Sequence, residues 1–107
     1  MSYIAMNRFK VALGSEEAFE DIWRAREGRL KEMPGYKEFR MLKGPEKEGY
    51  RLYSSPTMWA SEDDFVAWTK SEQFRAAHRN AGNSEIQSVI VGPPVFVGFQ
   101  TVLHESA

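Results

Sequence analysis

The stretch Tyr3-Ile-Ala-Met-Asn-Arg-Phe-Lys-Val11 alternates, with Tyr3, Ala5, Asn7, Phe9 and Val11 on one side and Ile4, Met6, Arg8 and Lys10 on the other. A period of two is that of a strand. The first side is apolar or aromatic except at Asn7, so it should lie under other elements. The second side begins apolar at Ile4 and Met6 and turns basic at Arg8 and Lys10. A sheet built on this strand therefore needs cover on both faces.

Cover for the first face follows directly in the chain. Gly14 ends the strand, Ser15 offers an N-cap, and Glu16 and Glu17 suit the positive end of a helix dipole. Phe19, Ile22, Trp23, Arg26 and Leu30 recur at spacings of three and four, which predicts a helix running to about Glu32. Met33-Pro34-Gly35 stops it, because proline lacks a backbone donor and restricts the residue before it. Tyr36 to Leu42 and Tyr50 to Met58 then read as two strands, joined as a hairpin through Lys43–Gly49, whose charges and glycines have no reason to be buried.

Further on, Ser61-Glu-Asp-Asp64 resembles a capping box, and Phe65, Val66, Trp68 and Thr69 begin the apolar stripe of a second helix. Ser71 is another potential cap, so the spacing predicts a short helix, a break, and a second helical piece from Glu72 to about Arg79. Arg79–Ser84 reads as an exposed loop, and Glu85–Val91 stays open between loop and strand. Val95 to Leu103 alternates as the last strand, before a frayed tail at His104–Ala107.

The order is β-α-β-β-α-β, a ferredoxin-like α+β arrangement with two helices on one face of an antiparallel sheet. A chain of 107 residues fits this as a single domain, 1–107, near the size at which many folds lean on a partner chain. The second face, with Ile4 and Met6, is most economically covered by another copy, sheet against sheet. The expected assembly is a homodimer, a dimeric α+β barrel.

Composition narrows the function. The net charge is −1 with Lys and Arg scattered among Asp and Glu, which removes the electrostatic footprint of a nucleic-acid binder and points to a small-molecule ligand. With no cysteine there are no disulfides and no thiolate chemistry, consistent with a reducing cytoplasm. The apolar runs near Val89–Val91 and Val95–Val97 are far too short to span a bilayer, so no membrane association is expected and the protein should be cytoplasmic. Neither a glycine-rich phosphate loop nor a dinucleotide fingerprint occurs, nor a Cys or His pair that would build a metal cage. Any electrons must come from outside.

The residues that can carry chemistry centre on Trp68-Thr-Lys-Ser-Glu-Gln-Phe-Arg-Ala-Ala-His78. On an unbroken helix Trp68 and His78 would differ by roughly 15 Å of rise and about 80° of rotation, so the break at Ser71 decides how they face one another. His78 has three readings: a hydrogen-bonded histidine at a helix end, an axial ligand of haem iron, or a general base. His104 lies in the tail. Asn7, the polar member of its strand face, either bonds the backbone of the helix above or donates to a ligand-bound oxygen. Trp68 is core or cofactor wall, and Trp59 reads as structural. Aromatic residues make up 13% of the chain, including three tryptophans, which serves either a packed core or a flat hydrophobic ligand.

Taken together, Ala5-Met-Asn7-Arg8-Phe9 and Trp68-x-x-Ser71-x-x-Phe74-Arg-Ala-Ala-His78 resemble the IsdG-like haem-degrading monooxygenases of the antibiotic biosynthesis monooxygenase superfamily, and the resemblance runs the whole length. It implies a homodimer with one haem per subunit held between helices and sheet. It implies His78 as axial iron ligand, Asn7 as hydrogen-bond donor to an iron-bound ligand, and Trp68 as the group that presses the porphyrin out of plane. Trp23 would lie against the ring and Arg26 near the propionates. Haem would be substrate and cofactor together, cleaved with O₂ and an external electron donor to release iron and a bilin-type product. The chain departs from the family in loop content at Arg79–Pro94, which leaves open the meso carbon attacked and the loss of CO or formaldehyde. Two other functions compete: a cofactor-independent monooxygenase of quinols or polyphenols, and a haem-binding protein without turnover.

Overall fold

The computed structural model describes residues 2–25, 30–72, 74 and 83–107. At its centre β1 (Tyr3–Ala12) pairs antiparallel along its whole length with β4 (Tyr50–Trp59), from Tyr3 opposite Trp59 to Ala12 opposite Tyr50. On its other side β1 pairs with β5 (Val95–Gln100), Tyr3 opposite Gln100 and Arg8 opposite Val95. The outer edge of β4 carries two short strands in series. β2 (Tyr36–Phe39) runs beside Thr57–Trp59, and β3 (Leu42–Lys47) beside Tyr50–Ser54. The order β2-β4-β1-β5, with β3 beside β2 on the same edge, is the ferredoxin-like α+β sheet expected from the sequence.

Pro56 explains the gap between β2 and β3. In an antiparallel ladder a residue's N–H and C=O point to the same neighbour. The Pro56 carbonyl accepts from the Arg40 N–H at 3.0 Å, so its missing N–H falls where the edge strand breaks. β3 itself corrects the expected Lys43–Gly49 connection. Leu42–Lys47 is extended, and only Glu48 and Gly49 turn the chain, Gly49 at φ +85°. Gly44-Pro45 looks like turn chemistry, yet it lies on an edge strand at a register shift between Lys43 and Glu46, where proline is tolerated. The segment is solvent-facing, as its charges required.

The first helix, α1, is described over Glu16–Ala25, and Leu30–Glu32 is a 3-10 turn where the pattern predicts the helix to run on to about Glu32. Its start also differs in detail. The Ser15 carbonyl accepts the first helical bond from Phe19 N–H at 2.9 Å, but among the described residues the Ser15 hydroxyl caps nothing. Instead the Glu16 carboxylate accepts from Gly14 N–H at 2.8 Å, and hydrogen bonds from its own and the Gly14 backbone hold its pKa below the ordinary range. The second helix, α2 (Glu62–Thr69), is capped as its sequence predicts, with Asp64 N–H bonding Ser61 Oγ at 3.2 Å. Gly35 lets this helix approach β2. It sits at φ +83°, and a Cβ there would overlap the Asp64 carboxyl group.

A further helix, α3 (Asn83–Val89), takes in Asn83 and Ser84, the only described residues of the expected Arg79–Ser84 loop, and resolves the segment left open after it as helix. It lies against α1, and Ile90 then bridges to Val11. Among the described residues, α3 thus adds to α1 and α2 as cover for the sheet face. The last strand stops at Gln100 and not at Leu103, and Val102 and Leu103 are 87% and 73% exposed.

Candidate active site

The helix-facing side of β1 and β4 consists of rows of opposed residues. Phe9 opposite Tyr53 belongs to a first hydrophobic cluster with Val11, Phe19 and Val89, against which Ile22 and Trp23 pack. Tyr3 opposite Trp59, with Ala5, makes a second cluster, against which Leu30, Phe65 and Trp68 pack. The row between them is Ser55 opposite Asn7, continued on β5 by Phe96. The core is thus interrupted by a polar row, with Trp23 of α1 on one bank and Trp68 of α2 on the other.

Among the described residues neither the Asn7 amide nor the Ser55 hydroxyl makes a side-chain hydrogen bond. The bond from Asn7 to a helix backbone, one of its two readings from sequence, is not formed among the described residues. Ser55 is 4% exposed and is the one polar side chain among the described residues that is buried. Sequence reasoning passes over it. The signal for it is its place in the alternation Tyr53, Ser55, Thr57, Trp59, which puts a small hydroxyl on the aromatic face of the strand.

Each bank is built from aromatic contacts. Trp23 lies 5.8 Å from Phe9 and stacks at 25° on Phe39, 5.9 Å away. It also lines an open cleft of about 460 Å³ with Phe39, Met41 and Tyr53. Opposite, Trp68 lies 5.8 Å from Trp59 and meets Phe74 edge-on at 4.6 Å. Ser71 sets that last contact. Its hydroxyl donates to the Trp68 carbonyl at 2.6 Å and accepts from Phe74 N–H at 3.1 Å, ending α2 and starting the next turn, which is the break the sequence predicts. Along β5, Phe96 stacks on Phe65 at 5.7 Å and 8°. His78 and Arg26 lie outside the described residues.

Behind the first bank, Tyr53 donates a 2.5 Å hydrogen bond to Glu20, whose carboxylate also faces Arg24 at 3.0 Å and Lys43 at 3.8 Å. The Tyr53 bond, with the two cations, holds the Glu20 pKa low, while burial and that same carboxylate push the Tyr53 hydroxyl well up. At neutral pH the bond thus joins a carboxylate to a protonated phenol.

The family model for antibiotic biosynthesis monooxygenases matches residues 2–80. The chain belongs to this family. It is an enzyme of the monooxygenase class. A heme oxygenase (staphylobilin-producing) of Staphylococcus saprophyticus is 30% identical over 86 residues, 80% of either chain. MhuD, a heme-degrader from Mycobacterium tuberculosis solved with two hemes in its active site, superposes with a TM-score of 0.74 at 25% identity, covering 97% of this chain and 99% of its own. SnoaB, a cofactor-independent oxygenase from Streptomyces nogalater, superposes with a TM-score of 0.64 at 16% identity, covering 96% and 95%. The fold thus carries more than one chemistry, and the site has to choose between them. No helix among the described residues is long and apolar enough to cross a membrane.

Proposed function

We propose that this member of the family is a haem-degrading monooxygenase. The observation that carries the reading is the polar row of Asn7 and Ser55 between two tryptophan-bearing banks. A porphyrin is flat and apolar on both faces, with a polar ligand position at its centre. Aromatic banks that flank unpartnered hydrogen-bonding groups fit that shape and chemistry. The relatives named for haem degradation support the same substrate.

When bound, haem supplies the iron that activates O₂ and the ring that is cleaved. The chain's own residues do the rest. His78 ligates the iron through a neutral imidazole. The Asn7 amide would donate a hydrogen bond to a ligand of the haem. The Trp68 indole, backed by Trp59 and braced by Phe74, would press on the bound porphyrin. Trp23 packs against the ring from α1, and Arg26 pairs with the propionates. An external electron donor completes the reaction, which releases iron and a bilin-type product.

The working unit is a homodimer. Ile4, Met6, Pro56, Met58, Val97 and Phe99 share the sheet face away from the helices, and Phe99 is 44% exposed. A second copy laid sheet to sheet covers them.

The test is an anaerobic hemin titration followed in the Soret region, then admission of air and ascorbate with mass analysis of the product. A saturable 1:1 shift, loss of the band and a bilin mass are expected, and His78→Ala should abolish turnover. No Soret shift would favour the cofactor-independent chemistry of quinols or polyphenols. A stable shift without product would favour a haem carrier.

A further inference from the structure

Ser55 is a buried hydroxyl in a place where packing alone would favour a β-branched apolar side chain. Its row neighbours along β4 are Tyr53, which is core, and Thr57, and both of its clusters are sealed by aromatic rings. It is 4% exposed, and among the described residues it has no hydrogen-bond partner. Its oxygen is not among the fully enclosed unpartnered side-chain atoms, so it stays within reach of a ligand or water in the polar row. It stands directly opposite Asn7 in an antiparallel pair, where Cβ atoms lie about 4.5–5.5 Å apart. One hydrogen-bond acceptor can therefore be reached by both side chains.

We propose that Ser55 is a second hydrogen-bond donor of the site and, with Asn7, holds an electronegative atom of the bound ligand on the sheet side. This rests on the reading that Asn7 faces a haem-bound ligand. Asn7 contributes an amide N–H and Ser55 an O–H, and neither can supply a positive charge. The pair selects a compact acceptor carrying partial or full negative charge, such as an oxygen atom or a halide. Two donors restrict the direction in which that atom leans, where one would let it pivot. Ser55 is then a specificity-determining residue for the position attacked on the ring.

Fluoride is the probe, because it binds ferric haem and accepts hydrogen bonds without being turned over. Fluoride is titrated into the ferric haem complex of the full chain and of the Ser55→Ala and Ser55→Thr variants. The dissociation constant for fluoride should rise about three- to tenfold in Ser55→Ala, the range of one hydrogen bond, and stay near the parent value in Ser55→Thr. The thermal midpoint of ligand-free Ser55→Ala should equal or exceed that of the parent, because the hydroxyl removed has no partner to lose. Equal fluoride affinity in parent and Ser55→Ala, with hemin bound in both, would overturn the proposal alone. So would a lowered midpoint in ligand-free Ser55→Ala, which would make the hydroxyl structural. Failure of the parent chain to bind hemin would instead remove the haem reading on which the proposal stands.

Discussion

The two banks of the candidate site are built unequally. On the α1 side Phe19, Val11 and Tyr53 are at most 1% exposed, and a charge-tuned Glu20–Tyr53 bond ties the helix to β4 from behind. On the α2 side, among the described residues, Tyr3, Ala5 and Trp59 are the buried members of the cluster, and α2 itself buries no residue fully. Phe65 and Trp68 lean on the second cluster without being enclosed by it. Local stability follows enclosure, so α1 is the fixed wall and α2 the one that can shift to admit a large flat ligand. A site for a porphyrin needs both. On the proposed function the fixed wall would set the geometry, and the yielding wall would let the substrate in and the product out.

That inequality can be broken experimentally. Phe19→Ala should cost about 3–5 kcal/mol in denaturant unfolding, the range for truncating an enclosed aromatic ring. Phe65→Ala, at a half-buried ring, should cost roughly half as much. Equal midpoints for the two variants would erase the distinction between the walls. A tighter test lies beneath the yielding wall, where Gly98 leaves room for the Tyr3 hydroxyl, and a Cβ at Gly98 would collide with it. Gly98→Ala should lose about 2 kcal/mol by overpacking, and adding Tyr3→Phe should restore part of it in a double-mutant cycle.

The fixed wall has a pH signature that the other lacks. Tyr53→Phe removes a hydrogen bond to a carboxylate that is only partly exposed, and should cost about 1.5 kcal/mol at neutral pH. The Glu20 pKa is depressed in the folded protein, so the stability it contributes is fully present above its unfolded value and is lost as pH falls through the folded one. The difference between parent and Tyr53→Phe should therefore be constant from neutral pH to about pH 5 and shrink as the medium becomes more acidic, around and below roughly pH 4. At the alkaline end the sign reverses. The Tyr53 pKa is raised by folding, so its contribution is present below the ordinary tyrosine range and lost only above it. Urea midpoints of both proteins across pH 3 to 7 check the acid limb, and a difference that stays flat to pH 3 would mean that Glu20 does not bind Tyr53 as a carboxylate.

The alternation of Tyr3–Val11 is enough by itself to give the central strand, its two faces and the odd position of Asn7. The Ser61 cap and the break at Ser71 are equally legible, because capping is local chemistry written in neighbouring residues. What escapes the sequence is non-local. Gly44-Pro45 reads as a turn until β4 is seen to need an edge partner, and Pro56 breaks that edge from the far side of a ladder. Ile86, Val89 and Ile90 do carry helical spacing, but the β-branched run into Gly92-Pro-Pro94 masks it, and α1 supplies the surface that decides for helix. Ser55 is illegible for the same reason. A serine in a strand means little until the register sets it opposite Asn7.

The smallest of these effects tests the yielding wall most directly. Ser61 caps α2 through Asp64 N–H at 3.2 Å, and three acids, Glu62, Asp63 and Asp64, crowd the same turn. Ser61→Ala leaves that donor without its side-chain acceptor and should cost about 1 kcal/mol of global stability. Because α2 is held by half-buried contacts, the loss should concentrate there. Amide exchange in Phe65–Thr69 should accelerate about fivefold, with exchange in α1 changing only as much as global unfolding requires. If α2 and α1 instead accelerate together, the helix opens only with the whole domain. The ligand would then have to enter past a wall as rigid as the one it packs against.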